Sequence, residues 1–355
     1  MLRYMWLLSF LICTTTALAQ GDATESPITV GGFVDGYYAY EFTRPPSKDR
    51  SFTTQPLRHN EFNLNLALFD LRYDADRVHG RFGLQAGTYV ESNYGAEPAG
   101  LQRMHEAFLG VRLGQSDWWL DMGLFGSHIG FESAISRDNW TYSRALMADF
   151  SPFFETGLRI AGPVSESTSF TFVLVNGWQN LRETNSDKAV GTQVQVQASD
   201  GILFNWSTYL GNELPDSLSW QPRFFNNFFG QFRINDRTDA ALIFDVGLQK
   251  HPVSGSLNTW YATAFYLQHR ATSTVSLAGR VEYYADRNQI IIPTGTPNGF
   301  QTFGASLNLD YAPVDNFVWR IEARAFRSKD RIYPSASGLD RASGFIVSSF
   351  AISIY

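Results

Sequence analysis

The sequence has almost no cysteine, because only Cys13 among 355 residues carries a thiol. Cys13 lies in the N-terminal apolar stretch, so a mature chain without that stretch has no cysteine. A disulfide framework, a thiol nucleophile and a cysteine metal site are then excluded. A lipid-anchored Cys13 is not favoured, because bulky Phe10, Leu11 and Ile12 precede it where small residues are expected.

Long apolar runs are also missing. Beyond the N-terminus no stretch approaches the roughly 18 consecutive apolar residues that a membrane helix needs. Charged residues make up only 17% of the chain and aromatic residues 15%, but the mean hydropathy is slightly negative, at −0.18. Apolar residues therefore alternate with polar ones and are not gathered in runs, so a membrane role must use strands. The formal charge of −6 also argues against nucleic acid as a partner.

The N-terminus has the three parts of a secretory signal. Arg3 gives a positive start, residues 5–13 are apolar, and residues 17–19 (ALA) form a small-residue cleavage sequence. We expect residues 1–19 to be a signal peptide that is removed, and residues 20–355 to form a single outer-membrane β-barrel domain.

Segments of about ten residues alternate apolar and polar side chains. In residues 275–286, Leu277 and Val281 fall on one face while Arg280 and Glu282 fall on the other. One face suits lipid and the other suits water, which is typical of a transmembrane β-barrel. The same alternation runs through residues 78–90, 190–198 and 303–311.

About sixteen such strands are predicted, joined by links that are short and long in turn. The fold class is therefore all-β, a transmembrane up-and-down antiparallel β-barrel with both termini in the periplasm, short periplasmic turns and long outer loops. Rings near strand ends, such as Tyr37, Trp119 and Trp260, would form interfacial girdles, the alternative being that they fill a soluble core. Register is not fixed by the sequence in residues 224–234 and 259–270, where both faces are apolar. The predicted strands are 28–42, 61–73, 78–90, 103–113, 118–127, 154–162, 169–178, 190–199, 202–211, 224–234, 240–250, 259–270, 275–286, 300–311, 317–327 and 344–355.

Residues 126–152 form the longest link and break the pattern. Ser136 could cap a short helix whose residues Tyr142, Leu146 and Met147 share a face. As the third outer loop, this link is predicted to fold inward and narrow the lumen, unless it stands outside as a surface cap packed against the rim. The predicted constriction charges are Glu132, Arg137, Asp138, Arg144 and Asp149.

Ionisable residues recur on the face opposite the apolar one. Arg or Lys on the lipid face costs roughly 2–4 kcal/mol at the membrane midplane, so these residues should face water inside the barrel. They could line a pore, pair across strands and stiffen the wall, or do both. The predicted pore-lining residues are Arg81, Glu106, Arg112, Asp121, Glu155, Arg159, Arg280, Glu282, Arg320, Glu322 and Arg324, with Asp35, Asp245 and Asp310 on the same face.

Several stretches resemble one family, the outer-membrane barrels of the putative beta-barrel porin-2 (OmpL-like) type. They are residues 32–38 (GFVDGYY), 81–87 (RFGLQAG), 119–132 (WLDMGLFGSHIGFE), 139–144 (NWTYSR) and 154–157 (FETG). The resemblance covers nearly all of the mature chain. It implies a porin-like barrel in a Gram-negative outer membrane and names no substrate. At the C-terminus Tyr355 fits an assembly signal, although Ser349 and Ser353 occupy its register.

No catalytic pattern stands out. The six histidines have no metal-ligand spacing, and Ser127 and His128 would point to opposite faces of a strand. We expect no enzyme activity, no metal and no cofactor. The sequence favours an outer-membrane porin for passive diffusion of small hydrophilic solutes or ions, the alternative being a structural or surface-adhesion barrel with an occluded lumen. Expected partners are outer-membrane lipid, the barrel-assembly machinery and the solutes, with a homo-oligomer left open.

Overall fold

The computed structural model describes residues 26–218, 220–250 and 255–354. The predicted signal peptide and Tyr355 lie outside the described residues. Sixteen antiparallel strands close into one barrel, in which each strand pairs with its neighbours in sequence and the first pairs with the last. The predicted fold class and strand number are confirmed.

The first eight barrel strands are β1 (Ile28–Glu41), β2 (Phe62–Asp74), β3 (Val78–Ala86), β4 (Met104–Arg112), β5 (Trp119–Gly126), β6 (Phe154–Ser165), β7 (Thr168–Val175) and β8 (Ala189–Ser199). The other eight are β9 (Ile202–Asn212), β10 (Pro222–Asn235), β11 (Thr238–Lys250), β12 (Leu257–Arg270), β13 (Val275–Asp286), β14 (Phe300–Val314), β15 (Phe317–Ser328) and β18 (Ala342–Ile354). The last outer loop contains a small hairpin of β16 (Tyr333–Ser335) and β17 (Gly338–Asp340). Two short helices are α1 (Thr88–Asn93) and α2 (Leu146–Asp149), and a 3₁₀ turn spans Ser136–Asp138. Among the described residues, no helix is long and apolar enough to cross a membrane.

The alternation of side chains sets the two faces of the wall. On β13, Leu277 and Val281 are 46% and 45% exposed on the outer face, whereas Arg280 and Glu282 are 2% and 4% exposed on the inner face. Lipid therefore meets an apolar surface, and the ionisable groups are held inside. The predicted faces of β13 are confirmed.

Strand β3 is shorter than the sequence predicts. It ends at Ala86, and residues 88–93 form α1 instead of continuing the strand to residue 90. Gly87 has a φ of 130°, and a Cβ at this position would lie 2.3 Å from the Asn65 carbonyl oxygen. Only glycine fits this bend, which turns the chain off the barrel wall and into the second outer loop.

Three of the rings expected in the interfacial girdles face the lumen. Tyr37 and Trp260 are only 3% and 1% exposed, and Trp119 stacks on the inner-face ring of His79 at 4.1 Å between centroids. The prediction was wrong for these rings. Trp260 lies in a strand that is apolar on both faces and gives no sign of its register, whereas Tyr37 and Trp119 each lie two residues from an inner-facing aspartate, so alternation places both rings inside. Other rings do face outward, as shown by Phe350, which is 56% exposed.

The connections keep the predicted order of short turns and long loops. The turns after β2 and β14 contain only residues 75–77 and 315–316, while the first and third outer loops contain residues 42–61 and 127–153. Short turns lie at the end of the barrel that holds both described termini. This end should face the periplasm.

This topology can be tested by epitope insertion. A tag near Ser47 or Ser337 should be labelled on intact cells, because both residues lie in long loops. A tag at Asp76 or Asp315 should be labelled only after the outer membrane is opened. Labelling of the short turns on unbroken cells would reverse the orientation.

Candidate functional site

Residues 126–152, here called the inner segment, occupy the middle of the barrel. Every residue from 139 to 149 is buried, although this stretch contains Arg144 and Asp149. It contacts the inner faces of β1, β13, β14 and β15 through hydrogen bonds. Because most buried polar groups are hydrogen-bonded, these contacts stabilise the segment in this position.

Arg280 on β13 is one of three arginines that bind the inner segment. Its Nη1 donates to the Thr141 hydroxyl at 2.9 Å and to the Ser143 carbonyl at 2.7 Å. Its Nη2 donates to the Ser143 hydroxyl at 3.0 Å and lies 3.3 Å from a Glu322 oxygen. Glu322 in turn accepts bonds from the backbone N–H and the hydroxyl of Ser143 at 2.6 and 2.8 Å.

Arg324 on β15 is the second. Its Nη1 donates to the Ser143 hydroxyl at 3.0 Å and to the Arg144 carbonyl at 2.7 Å. Its Nη2 lies 2.5 Å from Glu282, whose other oxygen accepts the Leu146 N–H at 2.7 Å. The Arg324–Glu282 pair therefore binds the carbonyl before α2 and the first N–H of α2.

Arg320, also on β15, binds residues 136–139 of the inner segment. Its guanidinium donates to the carbonyls of Ser136 and Asn139, the latter at 2.6 Å, and pairs with Asp310 at 2.7 Å. On the opposite side, the Asp35 carboxylate accepts the Ser136 hydroxyl at 2.7 Å. Ser136 therefore binds the wall and does not cap a helix, and the predicted helix is only a 3₁₀ turn and a separate four-residue α2.

The first outer loop covers the inner segment from outside. The Thr54 hydroxyl donates to Asp149 at 2.6 Å, and Gln55 donates to the Tyr142 carbonyl at 3.2 Å. Arg144 pairs with Asp149 at 3.0 Å, donates to the Thr54 hydroxyl, and lies over the Phe153 ring at 3.7 Å. Sequence reasoning missed Thr54 and Gln55, because nothing in their local pattern marks a contact about 90 residues away.

The charges of the inner segment do not behave as predicted. Of the five, only Glu132 approaches a wall arginine, with 3.6 Å between its carboxylate and Arg280. Burial raises the pKa of Glu132 above its usual value, although Arg280 opposes this. Arg144 and Asp149 pair with each other, and Asp138 is exposed and accepts a bond from the Ser133 hydroxyl. Arg137 forms no ion pair within the described part of the chain. The wall arginines bind this segment through backbone carbonyls and through the hydroxyls of Thr141 and Ser143, and no side-chain pattern predicts the carbonyl contacts.

A second group of inner charges lies on β3 to β6, away from the inner segment. Arg81 pairs with Glu106 at 2.5 Å, and its side chain is 18% exposed. Asp121 joins Arg159 and His79 at 2.7 and 2.6 Å. Water reaches Arg81, Arg159 and His79 in part, unlike Arg280, Arg320 and Arg324, whose side chains are at most 1% exposed. Arg112, at the periplasmic end of β4, pairs with the turn residue Asp76 at 3.1 Å.

Ser127 and His128 bind the same residue, Glu155, which two neighbours on one strand could not do. Both follow the end of β5. The Ser127 hydroxyl lies 3.0 Å from the Glu155 carboxylate, and His128 Nδ1 lies 2.9 Å from it. The expectation of opposite faces was wrong, because β5 ends at Gly126. His128 Nε2 lies 2.8 Å from the Thr208 carbonyl, so both ring nitrogens face acceptors. Burial alone would lower the pKa of His128, but Glu155 and Thr208 outweigh it and raise that pKa.

Aromatic rings pack beneath the inner segment. Trp140 lies edge to face with Phe131 at 5.6 Å and with Tyr266 at 6.3 Å, and Phe131 also packs on Phe229 at 5.5 Å. On the periplasmic side of Trp140 a pocket opens between the inner segment and β8 to β12. Within the described residues, no group of three or more His, Cys, Asp or Glu side chains is arranged to hold a metal ion.

The geometry defines a class of protein. A closed barrel of sixteen strands with an apolar outer face, a charged inner face and a loop between the inner walls is the architecture of an outer-membrane porin. Similar solved structures share it, each matching 92% of this chain. The anion-selective porin from Comamonas acidovorans has a TM-score of 0.61 at 8% identity over 99% of its length. OmpF of Salmonella typhi, in complex with daunomycin, has a TM-score of 0.58 at 13% identity over 97% of its length. A trimer form of OmpT of Vibrio cholerae has a TM-score of 0.57 at 7% identity over 98% of its length.

The chain belongs to the family described as putative beta-barrel porin-2, OmpL-like, whose family model matches residues 27–354. It is therefore an outer-membrane channel protein of a Gram-negative bacterium. Comparison with curated proteins gave no match. The likeness to the solved porins, at identities of 7–13%, shows the fold alone. The solute and the ion selectivity must follow from this chain's own residues.

Proposed function

We propose that the barrel passes small hydrophilic solutes and ions by passive diffusion, and that the inner segment sets the size limit. The observation that carries this proposal is the position of residues 139–149, which are buried between the inner walls by bonds to Arg280, Arg320 and Arg324. A chain held there takes up space that solutes would use. Charged groups on β3 to β6 stay partly accessible and favour a water-filled path beside it.

Four further expectations form part of this proposal. Residues 20–355 act as one barrel domain after loss of residues 1–19, and outer-membrane lipid and the barrel-assembly machinery are its partners. Porin families and folds are in general non-enzymatic, and we propose that this chain has no catalytic activity and no cofactor. A homo-oligomer fits the trimer form known for OmpT of Vibrio cholerae.

The test is a single-channel recording of the purified protein in a planar bilayer. Steps of uniform conductance, reduced by sugars small enough to enter and unaffected by large ones, would support diffusion through a narrow pore. No steps from protein that still migrates as a folded barrel would overturn the proposal.

A second candidate is a structural or surface-adhesion barrel with an occluded lumen. The observation that favours it is the cluster of buried inner residues, in which Phe131, Trp140, Tyr266 and Leu146 fill the middle of the barrel. The same recording separates the two functions, because a permanently filled barrel gives no conductance.

The inner charges predict a mild preference for cations. Asp245 bonds only to Asn227, at 2.6 Å, and Asp35 bonds to Ser136, Asn65 and Tyr142, so within the described chain neither has an arginine or lysine at ion-pair distance. At pH 8 in a salt gradient, the reversal potential should favour potassium, and more weakly at higher salt.

Asp245→Asn should move this reversal potential towards zero, whereas Asp315→Asn in a periplasmic turn should leave it unchanged. A reversal potential that favours chloride in the unaltered protein would contradict the preference.

A further inference from the structure

The pocket on the periplasmic side of Trp140 has the composition of a binding site. It lies between the inner segment and the inner faces of β8 to β12, and Asp200 and Gly201 of a periplasmic turn contribute to its rim. A solute in the pocket would therefore meet Trp140 from the periplasmic side. The pocket belongs to the channel proposed above. The role of a bound ligand in transport rests on that proposed function, but its binding can be measured whether or not the channel conducts.

Trp140 contributes a fixed donor to the pocket. Its ring is held edge to face by Phe131 and Tyr266 and is only 7% exposed, so most of the ring is covered. The indole N–H makes no hydrogen bond to any described residue. A buried indole normally has a partner for this group, so a donor is left for a ligand.

Three glutamines line the opposite side. Gln197 and Gln231 flank Leu203 as direct cross-strand neighbours, so their backbones lie about 10 Å apart, twice the spacing of adjacent strands. Gln268 lies one strand beyond Asp239. Among described residues the amides of Gln231 and Gln268 have no hydrogen-bond partner, and Gln197 uses only its N–H group, on Ser199 and Ile202.

The charges around the pocket cancel. Arg270 pairs with Asp239 at 2.5 Å, Arg233 lies 3.8 Å from the same carboxylate, and Asp200 adds a second negative charge. Two positive and two negative groups leave no net charge for an ionic ligand to meet. Unpaired amides and a free indole N–H instead suit a neutral ligand that carries several hydroxyl groups.

We propose that this pocket binds a pyranose sugar, with its hydroxyls bonded to the Trp140 indole N–H and to Gln197, Gln231 and Gln268. A hydroxyl can both donate and accept, so hydroxyls at the ring edge accept from the indole and exchange hydrogen bonds with the amides. The site precedes the inner segment on the route from the periplasm, so bound sugar also blocks the narrowest part of the channel.

The test measures binding separately from conductance. Ligand-observed saturation-transfer NMR on the folded protein in detergent should show glucose binding, with much weaker binding of sorbitol, whose similar hydroxyls lie on a flexible chain that must be ordered on binding. Gln231→Ala and Gln268→Ala should each raise the Kd for glucose about fivefold, as expected for loss of one hydrogen bond. Gln195→Ala is the matched control, because Gln195 lies on the inner face of β8 outside the pocket.

Trp140→Phe should retain weaker binding, and Trp140→Ala should abolish it. Equal binding of glucose and sorbitol, or an unchanged Kd in both pocket glutamine variants, would overturn the sugar site while leaving channel function intact. Glucose binding with the expected variant pattern in a protein that gives no conductance would support the site and refute the channel.

Discussion

Replacing residues 133–148 by a short Gly-Ser linker should raise the single-channel conductance several-fold. These residues include the buried stretch that Arg280, Arg320 and Arg324 hold between the inner walls. Without it, water fills the space and hydrates the wall charges, so the arginines and glutamates are not left buried and unpaired. The size limit for sugar uptake should rise with the conductance.

The variant must first be shown to be a folded barrel, by its resistance to unfolding in detergent. The matched control replaces residues 336–339, the exposed tip of the β16–β17 hairpin, with the same linker and should not change the conductance. A folded variant with unaltered conductance would remove the inner segment from permeation and leave it as a structural element.

The barrel could be predicted from the sequence because lipid and water impose opposite demands on the two faces of each strand. On β13 a change of one residue in register would put Arg280 and Glu282 into lipid, at a cost of several kcal/mol. The same reasoning fails where both faces are apolar. Phe225 and Phe229 face inward while Phe224 and Phe228 face outward, and only the pairing with β9 and β11 reveals this.

The candidate site was predictable in position and not in detail. The length of residues 126–152 and its place after β5 indicated an inner loop, and the wall charges on β13 and β15 were identified correctly as inner-facing. Which groups they bind could not be predicted, because Arg320 and Arg324 bind carbonyls of Ser136, Asn139 and Arg144. Every residue has the same backbone carbonyl, so the sequence does not show which carbonyl an arginine binds.

Replacing Arg324 by Met should release the inner segment. Arg324 binds the Ser143 hydroxyl and the Arg144 carbonyl, and it balances Glu282. In the unaltered protein, Arg280 and Arg324 face Glu132, Glu282 and Glu322, so this group has a formal charge of −1. Arg324→Met makes it −2, and breaking a buried pair in this way costs about 3 kcal/mol or more.

The release can be measured by thiol labelling. A single cysteine at buried Ala145 should react slowly in the parent, and about 100-fold faster with Arg324→Met, the factor that corresponds to about 3 kcal/mol. Adding Glu282→Gln restores the formal charge to −1 and keeps an acceptor for the Leu146 N–H, so labelling should slow again. Arg327→Met, on the same strand but exposed, should have no effect.

Equal labelling rates in the parent and the Arg324→Met variant would show that this arginine does not hold the segment. Labelling that stays fast in the double variant would show that charge balance is not the cause.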